Sequence, residues 1–141
     1  MAMAVFVSRS DDSGTHKKEL TLWKAAGIAV PDELETYVKA NKGMRETLEL
    51  AAARKGYVLT DRGTLLSFQT EGGNADRLSI LLEGSELLRN QYGIIALNPE
   101  KCAHANHDLA REFIDWITSE EGQSAIGNFR LQGHQLFSPN A

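Results

Sequence analysis

The sequence lacks the features that mark several classes of protein. Its 141 residues include a single cysteine, Cys102, so no disulfide can form within the chain. No apolar run approaches the ~18 residues that a membrane-spanning helix needs. A basic excess is missing as well, since 19 acidic residues outnumber 15 lysines and arginines and the net charge is −4. This balance argues against a nucleic-acid-binding protein, which usually has a basic surface.

A signal peptide is not recognisable either, because residues 1–4 lead into a strand-like segment without a basic start or a cleavage pattern. An abrupt beginning of this kind is expected of a segment that belongs to a longer protein. The overall composition, with 42% hydrophobic and 24% charged residues, is that of an ordinary globular protein. The length suits one domain, so we expect a single domain over residues 1–141.

Apolar runs and amphipathic segments alternate along the chain. β-rich runs predict strands at residues 4–8, 57–60, 78–82 and 92–97. Helical periodicity predicts helices at residues 14–26, 31–41, 44–55 and 106–118, a short helix ending at Phe68, and a last helix capped by Ser119. We expect Trp23 and Trp116 to lie in the core. The alternation predicts an α/β fold: a three-layer sandwich with a mixed, mostly parallel sheet.

Two polar loops connect a predicted strand to a predicted helix, at residues 8–15 and 60–64. Ligands of open α/β sheets bind beyond the carboxyl ends of the strands. If both strands lie in one sheet, the two loops converge on one ligand, and the helix start near Gly43 is a third contributor. Within the second loop, Asp61 and Arg62 suggest a local ion pair that closes the turn.

The first loop combines hydroxyl groups, a glycine and an arginine at the start of a helix. The first N–H groups of a helix have no intrahelical acceptor and carry partial positive charge, which favours a bound anion. A tetrahedral dianion carries no proton, so its site needs donors: backbone N–H groups, serine and threonine hydroxyls, and an arginine. The loop therefore predicts a site for a small anion within an acidic chain.

Four segments resemble the periplasmic tungstate-binding proteins of ABC importers. They read FVSRSDDSGTHKKE (6–19), YVLTDRGT (57–64), YGIIALNP (92–99) and FIDWITSEEGQ (113–123). The resemblance covers nearly the whole chain, in order. Two departures accompany it: the family's first lobe, with its Thr/Ser-rich anion loop, is missing, and residues 42–45 replace a glycine-rich loop of the family.

The resemblance implies a type II periplasmic-binding-protein fold, in which two α/β lobes clamp an oxyanion. This chain would correspond to the second lobe plus the C-terminal helices, with the first lobe absent. The implied function is that of the solute-binding component of an ABC transporter. It would bind tungstate or molybdate outside the cytoplasmic membrane and present the ion to the transporter's permease. A homodimer is expected through the face that normally meets the other lobe.

The resemblance also implies which residues bind the ligand. Arg9 and Thr15 match ligand-contacting positions of the family motif, with other residues of the same loop beside them. The full implied set is Ser8, Arg9, Ser13, Gly14 and Thr15, with Gly43, Thr60 and Asp61 as further candidates.

The residues of the first loop also suit purely structural roles. Ser13 and Thr15 suit the cap of a helix, and Arg9 suits a surface ion pair with Asp11. Asp11 and Asp12 have two interpretations as well: they cap backbone N–H groups and orient Arg9, or one of them accepts the proton of a bound phosphate.

Other classes of function find little support in the sequence. Ser13 and His16 are spaced for a nucleophile and its base, but no Gly-x-Ser-x-Gly elbow is present, and we predict no enzyme. His104 and His107 lack the cysteines or carboxylates of a metal site, and neither a metal nor a cofactor is predicted. The alternative to transport is an anion-sensing module of a regulatory protein, which would use the same lobe.

Overall fold

The computed structural model describes residues 4–72, 74 and 76–141. The chain forms two compact units, one ending at Arg89 and one running from Asn90 to Ala141. The first unit contains a parallel sheet with three helices, and the second contains two helices and a hairpin. Within the described residues, no helix is long and apolar enough to cross a bilayer.

The first unit alternates between strands and helices. Its strands are β1 (Phe6–Ser8), β2 (Tyr37–Lys39) and β3 (Tyr57–Val58), and its helices are α1 (Gly14–Ala25), α2 (Met44–Arg54) and α3 (Arg62–Thr70). A 3-10 turn at Glu86–Leu88 follows. The strands pair in parallel in the order β2-β1-β3. The first strand of the sequence is therefore the central strand of the sheet.

The sheet of the first unit lies between two helix layers. On one face, the Phe6 ring contacts Trp23 of α1 at a centroid distance of 5.3 Å and stacks on Tyr37 at 6.0 Å. Side chains alternate along a strand, so Val7 points to the other face, which α2 covers. The core on that face consists of Met44, Leu48 and Phe68, with Val58 packed against them. The predicted three-layer α/β architecture is confirmed.

Local sequence explains where these helices begin and end. The Ser13 hydroxyl accepts the N–H of His16 at 3.3 Å and caps α1. The Asp61 carboxylate accepts the N–H of Thr64 at 2.8 Å and caps α3. At the other end of α1, Gly27 has φ +68°, the left-handed conformation that stops a helix. The predicted ends of α1 and α2 agree with the structure to within a residue.

The second unit is built around a tight helix junction. Its elements are α4 (His107–Thr118), α5 (Glu120–Asn128) and an antiparallel hairpin of β4 (Arg130–Leu131) and β5 (His134–Gln135). Ser119 alone separates α4 from α5, and its hydroxyl accepts the N–H of Gly122 at 3.2 Å. A Cβ atom at Gly122 would lie 2.2 Å from the carbonyl oxygen of Trp116, so only glycine fits there. The helices predicted at 106–118 and after Ser119 are confirmed.

The helix predicted at residues 31–41 is wrong. Turns occupy this stretch as far as Thr36, and Tyr37–Lys39 form strand β2. Pro31 and the spacing of the apolar residues favour a helix locally, but the segment stabilises the fold more when it pairs as a strand. As β2 it pairs with the central strand and buries the Tyr37 ring to 6% exposure. Tertiary pairing overrides the local preference.

The strands predicted at residues 78–82 and 92–97 are also wrong. Neither stretch forms a strand, and Leu81, Leu82 and Ile95 are between 72% and 88% exposed. A strand needs a neighbour for its N–H and C=O groups, and the described part of the chain supplies none for these runs. Trp116 is likewise 41% exposed, so its predicted core position is wrong, whereas Trp23 is half-buried against Phe6.

Candidate functional site

The carboxyl ends of the three strands lie at one edge of the first unit, and a helix begins soon after each. β1 leads into α1 at Gly14, β2 into α2 at Met44 and β3 into α3 at Arg62. In the order β2-β1-β3, the direction of winding reverses at β1, which makes the border of β1 and β3 the switch point where such sheets bind ligands. Loops 8–15 and 60–64 therefore follow neighbouring strands.

Arg9 and Asp11 brace the first loop. Their side chains, 19% and 23% exposed, form an ion pair, with a second contact of 3.1 Å from the Arg9 Nε. Asp11 also accepts the backbone N–H of Ser13 at 3.2 Å. Hydrogen bonds from Ser13 and then from Arg9 lower the pKa of Asp11 to about 2 from its ordinary 3.8. Asp11 is thus ionised and bonded to both Arg9 and Ser13.

Two residues of the same loop adopt the left-handed backbone conformation without being glycine. Ser10 has φ +49° and Asp12 has φ +58°. Such conformations cost about 1 kcal/mol or more each, and they persist where surrounding contacts hold them. At Asp12 the backbone N–H donates to the His16 Nδ1 at 3.1 Å, and at Ser10 the backbone N–H donates to the Ser8 Oγ at 3.2 Å. The loop is therefore a specifically held structure.

The start of α1 places Ser13, Gly14 and Thr15 beyond the end of β1. Ser13 caps the helix, Gly14 is exposed, and Thr15 is half-buried. A Cβ atom added at Gly14 would meet nothing within 4 Å, so the backbone there is open to a ligand. The N–H groups of Gly14 and Thr15 belong to the first turn, whose donors have no acceptor within the helix.

The loop after β3 is organised by Asp61. Its carboxylate accepts both the N–H and the hydroxyl of Thr64, at 2.8 and 2.7 Å, while the Thr60 hydroxyl donates to the Asp61 carbonyl oxygen at 3.1 Å. The expected ion pair between Asp61 and Arg62 is wrong. Arg62 pairs with Glu83 instead, because the capping bonds direct the Asp61 carboxylate into its own helix.

Gly43 is the N-cap of α2 and makes no side-chain cap. A Cβ atom at this position would lie 2.8 Å from a carboxylate oxygen of Glu46, one turn into the helix. A negative side chain thus lies at this third helix start. Arg45 of the same turn pairs with Glu49 and Glu71.

A buried polar network, which the sequence analysis missed, lies beneath the first loop. Glu19 of α1 is 3% exposed, and its Oε1 accepts the Tyr37 hydroxyl at 2.6 Å and the Trp23 indole N–H at 3.1 Å. Burial, followed by the bond to Glu19, raises the pKa of Tyr37 to about 12, while bonds from Ser8 and Ser10 lower it. The sequence pattern that could have revealed Glu19 is a single acidic residue at the position of α1 that faces the sheet.

A cleft of about 350 Å³ opens on the β2 side of the loop. It is lined by Ser10, His16, Leu20, Val30, Asp32, Tyr37, Lys39 and Asn41, none of which was predicted as a site residue. Lys39 ends β2 and Asn41 follows it, so the strand-end rule would have indicated both had β2 been recognised.

The geometry does not favour hydrolytic chemistry or a metal. The Ser13 hydroxyl caps α1, and the His16 Nδ1 accepts a backbone N–H, so the two side chains do not form a nucleophile and base. The His107 Nδ1 lies 3.9 Å from Asp108. In the ranges that the structure describes, no group of three His, Cys, Asp or Glu side chains is placed to hold a metal ion.

Comparison with known proteins agrees with this architecture. Residues 2–121 match the family described as the PBP superfamily domain. The chain belongs to the PBP superfamily. Its parallel sheet, with an anion-suited loop at the strand ends, is thus the sheet of a ligand-binding fold.

Several similar proteins are tungstate-binding proteins. The chain is 45% identical over 138 residues to the tungstate-binding protein TupA of Peptoclostridium acidaminophilum, covering 96% of this chain and 46% of that protein. The structure of the tungstate-binding protein TupA from Desulfovibrio alaskensis G20 superposes with a TM-score of 0.87 at 44% identity, over 98% of this chain and 55% of that one. The resemblance to tungstate-binding proteins is confirmed.

A further solved structure connects the chain with transport. The tungstate ABC transporter structure from Geobacter sulfurreducens superposes with a TM-score of 0.73 at 44% identity, over 89% of this chain and 51% of that chain. The chain spans about half the length of the relatives that it matches.

Proposed function

We propose that this chain is the oxyanion-binding part of the solute-binding component of an ABC transporter, and that its ligand is tungstate or molybdate. The observation that carries the proposal is the switch point between β1 and β3, where a held loop with Arg9 meets the start of α1. The similarity to tungstate-binding proteins selects the ligand class.

The proposed site recognises its ligand with donors alone. Arg9 supplies a charged guanidinium, Ser13 its hydroxyl and Thr15 its N–H and hydroxyl, and Gly14 lets the anion approach the backbone. Ser8 lies at the base of this loop. Thr60 and Asp61 follow β3 beside this loop, and we propose that their backbone faces the ion, since the Asp61 carboxylate is bonded to Thr64. Gly43 contributes less, because the Glu46 carboxylate lies at the start of α2.

Selectivity against phosphate follows from the state of Asp11. Hydrogen phosphate carries a proton and gains from an acceptor, whereas tungstate and molybdate carry none. Asp11 is engaged by Arg9 and Ser13, and Asp12 is 86% exposed and pairs with Lys17 at 3.4 Å. Both carboxylates already have cationic or N–H partners with which a phosphate proton would compete, so we expect phosphate to bind more weakly than tungstate.

The partners follow from the same proposal. The parent protein would add a first lobe that closes over the ion, act outside the cytoplasmic membrane and deliver the ion to a permease. Binding, and not catalysis, is the proposed activity. Without the opposing lobe the site is open to water, which weakens charge-assisted bonds, and we expect a dissociation constant for tungstate of about 1 mM.

A tungstate titration of the ¹⁵N-labelled chain tests the proposal. We expect saturable shifts of the amide resonances of residues 8–15, with the first turn of α3 following, and smaller shifts with phosphate at equal ionic strength. At ten times the dissociation constant, tungstate should stabilise the chain by about 1.4 kcal/mol and raise the Tm by about 4 to 7 °C. Amide resonances that do not move with up to about 10 mM tungstate would refute the proposal.

A further inference from the structure

The polar network beneath the first loop joins three separate parts of the chain. Glu19 lies on α1, Tyr37 on β2, and Ser8 at the end of β1. All three are buried, with exposures of 3%, 6% and 0%. Buried polar side chains are retained where hydrogen bonds satisfy them, and a carboxylate needs such bonds most.

The network has a fixed direction. A carboxylate only accepts hydrogen bonds, so the Tyr37 hydroxyl donates its hydrogen to Glu19, at 2.6 Å. The oxygen of Tyr37 keeps acceptor capacity on its other side. Ser10 and Tyr37 line the same cleft, and Ser8 and Ser10 lie close enough to lower the pKa of Tyr37. The Ser8 Oγ itself accepts from the backbone N–H of Ser10 at 3.2 Å and from the Ser10 hydroxyl at 3.0 Å.

The network ends at Ser10, whose backbone is in the left-handed conformation and needs contacts to hold it there. Ser10 holds φ +49°, and its N–H is tied to the buried Ser8 side chain. Ser10 also lies between Arg9 and Asp11, whose ion pair shapes the loop. Ser10 thus connects the buried network, whose members Tyr37 and Glu19 lie outside the loop, with the ion pair of Arg9 and Asp11.

We propose that Glu19 and Tyr37 are positioning residues of the anion site, holding Ser8 and Ser10 so that the Arg9 guanidinium is presented to the ligand. Ser8 acts within this network, since its side chain is fully buried and its Oγ accepts both the N–H and the hydroxyl of Ser10. This inference rests on the proposed function and adds to it a support that lies outside the loop.

The decisive variant is Tyr37→Phe, which keeps the ring that stacks on Phe6 and removes only the hydroxyl. We expect it to fold and to bind tungstate about ten-fold more weakly, by isothermal titration calorimetry or the amide titration. The matched control is Tyr57→Phe, at a half-exposed tyrosine of the same sheet, which should bind as the parent does.

A double-mutant cycle separates positioning from general destabilisation. If Tyr37 acts through Ser8, then Ser8→Ala also weakens binding, and the double variant Ser8→Ala with Tyr37→Phe binds no more weakly than the more impaired single variant. The second readout is the set of amide resonances of residues 9–11, which should shift in both single variants before any ligand is added.

The outcomes are distinct. Parent-like tungstate affinity in Tyr37→Phe, or strictly additive losses in the cycle, overturns the positioning role and leaves the proposed function intact. A parent chain that does not bind tungstate removes the proposed function itself. Should Tyr37→Phe fail to fold, Ser8→Ala with unchanged affinity and unchanged resonances of residues 9–11 still overturns the inference.

Discussion

At the scale of single residues, Arg9 is the charged donor of the proposed anion site. Its guanidinium already makes two contacts with Asp11, so it is held in one orientation before a ligand arrives. A planar fork held in this way donates parallel hydrogen bonds to two oxygens of a tetrahedral anion. A lysine at this position would keep the positive charge but would lack the planar pair of N–H donors.

We therefore expect Arg9→Lys to weaken tungstate binding by roughly 10- to 100-fold, measured as the loss of saturation in the amide titration of residues 8–15. The control is Arg54→Lys in the last turn of α2, which should bind tungstate as the parent does. Equal affinities of the parent and Arg9→Lys would show that Arg9 supplies only charge.

The lowered pKa of Asp11 predicts a dependence of stability on pH. Because the folded state holds the pKa at about 2 and the ordinary value is 3.8, the ionised carboxylate stabilises the fold above pH ~4. This contribution is lost as the pH falls from about 5 toward 2.

Asp11→Asn should therefore be less stable than the parent in urea at about pH 6, with the difference shrinking at about pH 3. Asp12→Asn, at the exposed neighbouring carboxylate, is the control and should track the parent. A difference that stays constant with pH would contradict this account.

At the scale of elements, the α4–α5 junction depends on one glycine. A methyl group at Gly122 would meet the Trp116 carbonyl oxygen at 2.2 Å and the Ile117 Cα at 2.8 Å, and both are backbone atoms that cannot turn aside. We expect Gly122→Ala to destabilise the junction by about 2 to 4 kcal/mol and to reduce helical ellipticity in thermal unfolding.

The control for the junction is Gly93→Ala in the same unit, where an added Cβ meets nothing within 4 Å. Its unfolding curve should overlay that of the parent. If Gly122→Ala unfolds like Gly93→Ala, the two helices adjust to the methyl group and the junction is looser than the structure indicates.

A comparison of predicted and observed elements shows which of them a sequence can predict. α1, α2 and α4 have long apolar periods and recognisable caps, so the sequence predicts their ends to within a residue or so. β2 has three residues, too few to display a period, and its identity comes from pairing with β1. Residues 78–82 and 92–97 have the composition of strands and lack a partner, which no local pattern reveals.

The candidate site is likewise predictable only in part. The sequence predicts loops 8–15 and 60–64 as the connections of two strand–loop–helix units, because chain order alone indicates such units. The structure adds that the two strands are neighbours in one sheet. The network of Glu19, Tyr37 and Ser8 was not predictable, since its members meet only through the pairing of β1 with the unrecognised β2. Which residues contact the ligand stays a prediction.

At the scale of the whole molecule, the chain exposes many large apolar side chains. Leu81, Leu82, Tyr92 and Ile95 are each at least 70% exposed. Exposed apolar surface of this extent is usually covered by another polypeptide. The chain spans about half the length of its relatives, so a larger partner surface is consistent with this exposure.

We therefore expect the isolated chain to self-associate, with a dimer in sedimentation velocity at about 100 µM. Ile95→Lys, at a side chain 88% exposed, should shift the distribution toward monomer, whereas Ala53→Lys on the exposed surface of α2 should not. A single monomeric species from about 10 to 300 µM would contradict this expectation.

The strand order has a consequence for biosynthesis. The central strand is made first, yet both of its neighbours are made later, β2 at Tyr37–Lys39 and β3 at Tyr57–Val58. Because a nascent chain emerges from its amino-terminal end, the loop that carries Arg9 leaves the ribosome long before the flanks that fix its shape. The proposed oxyanion site is therefore incomplete until translation has passed the third strand.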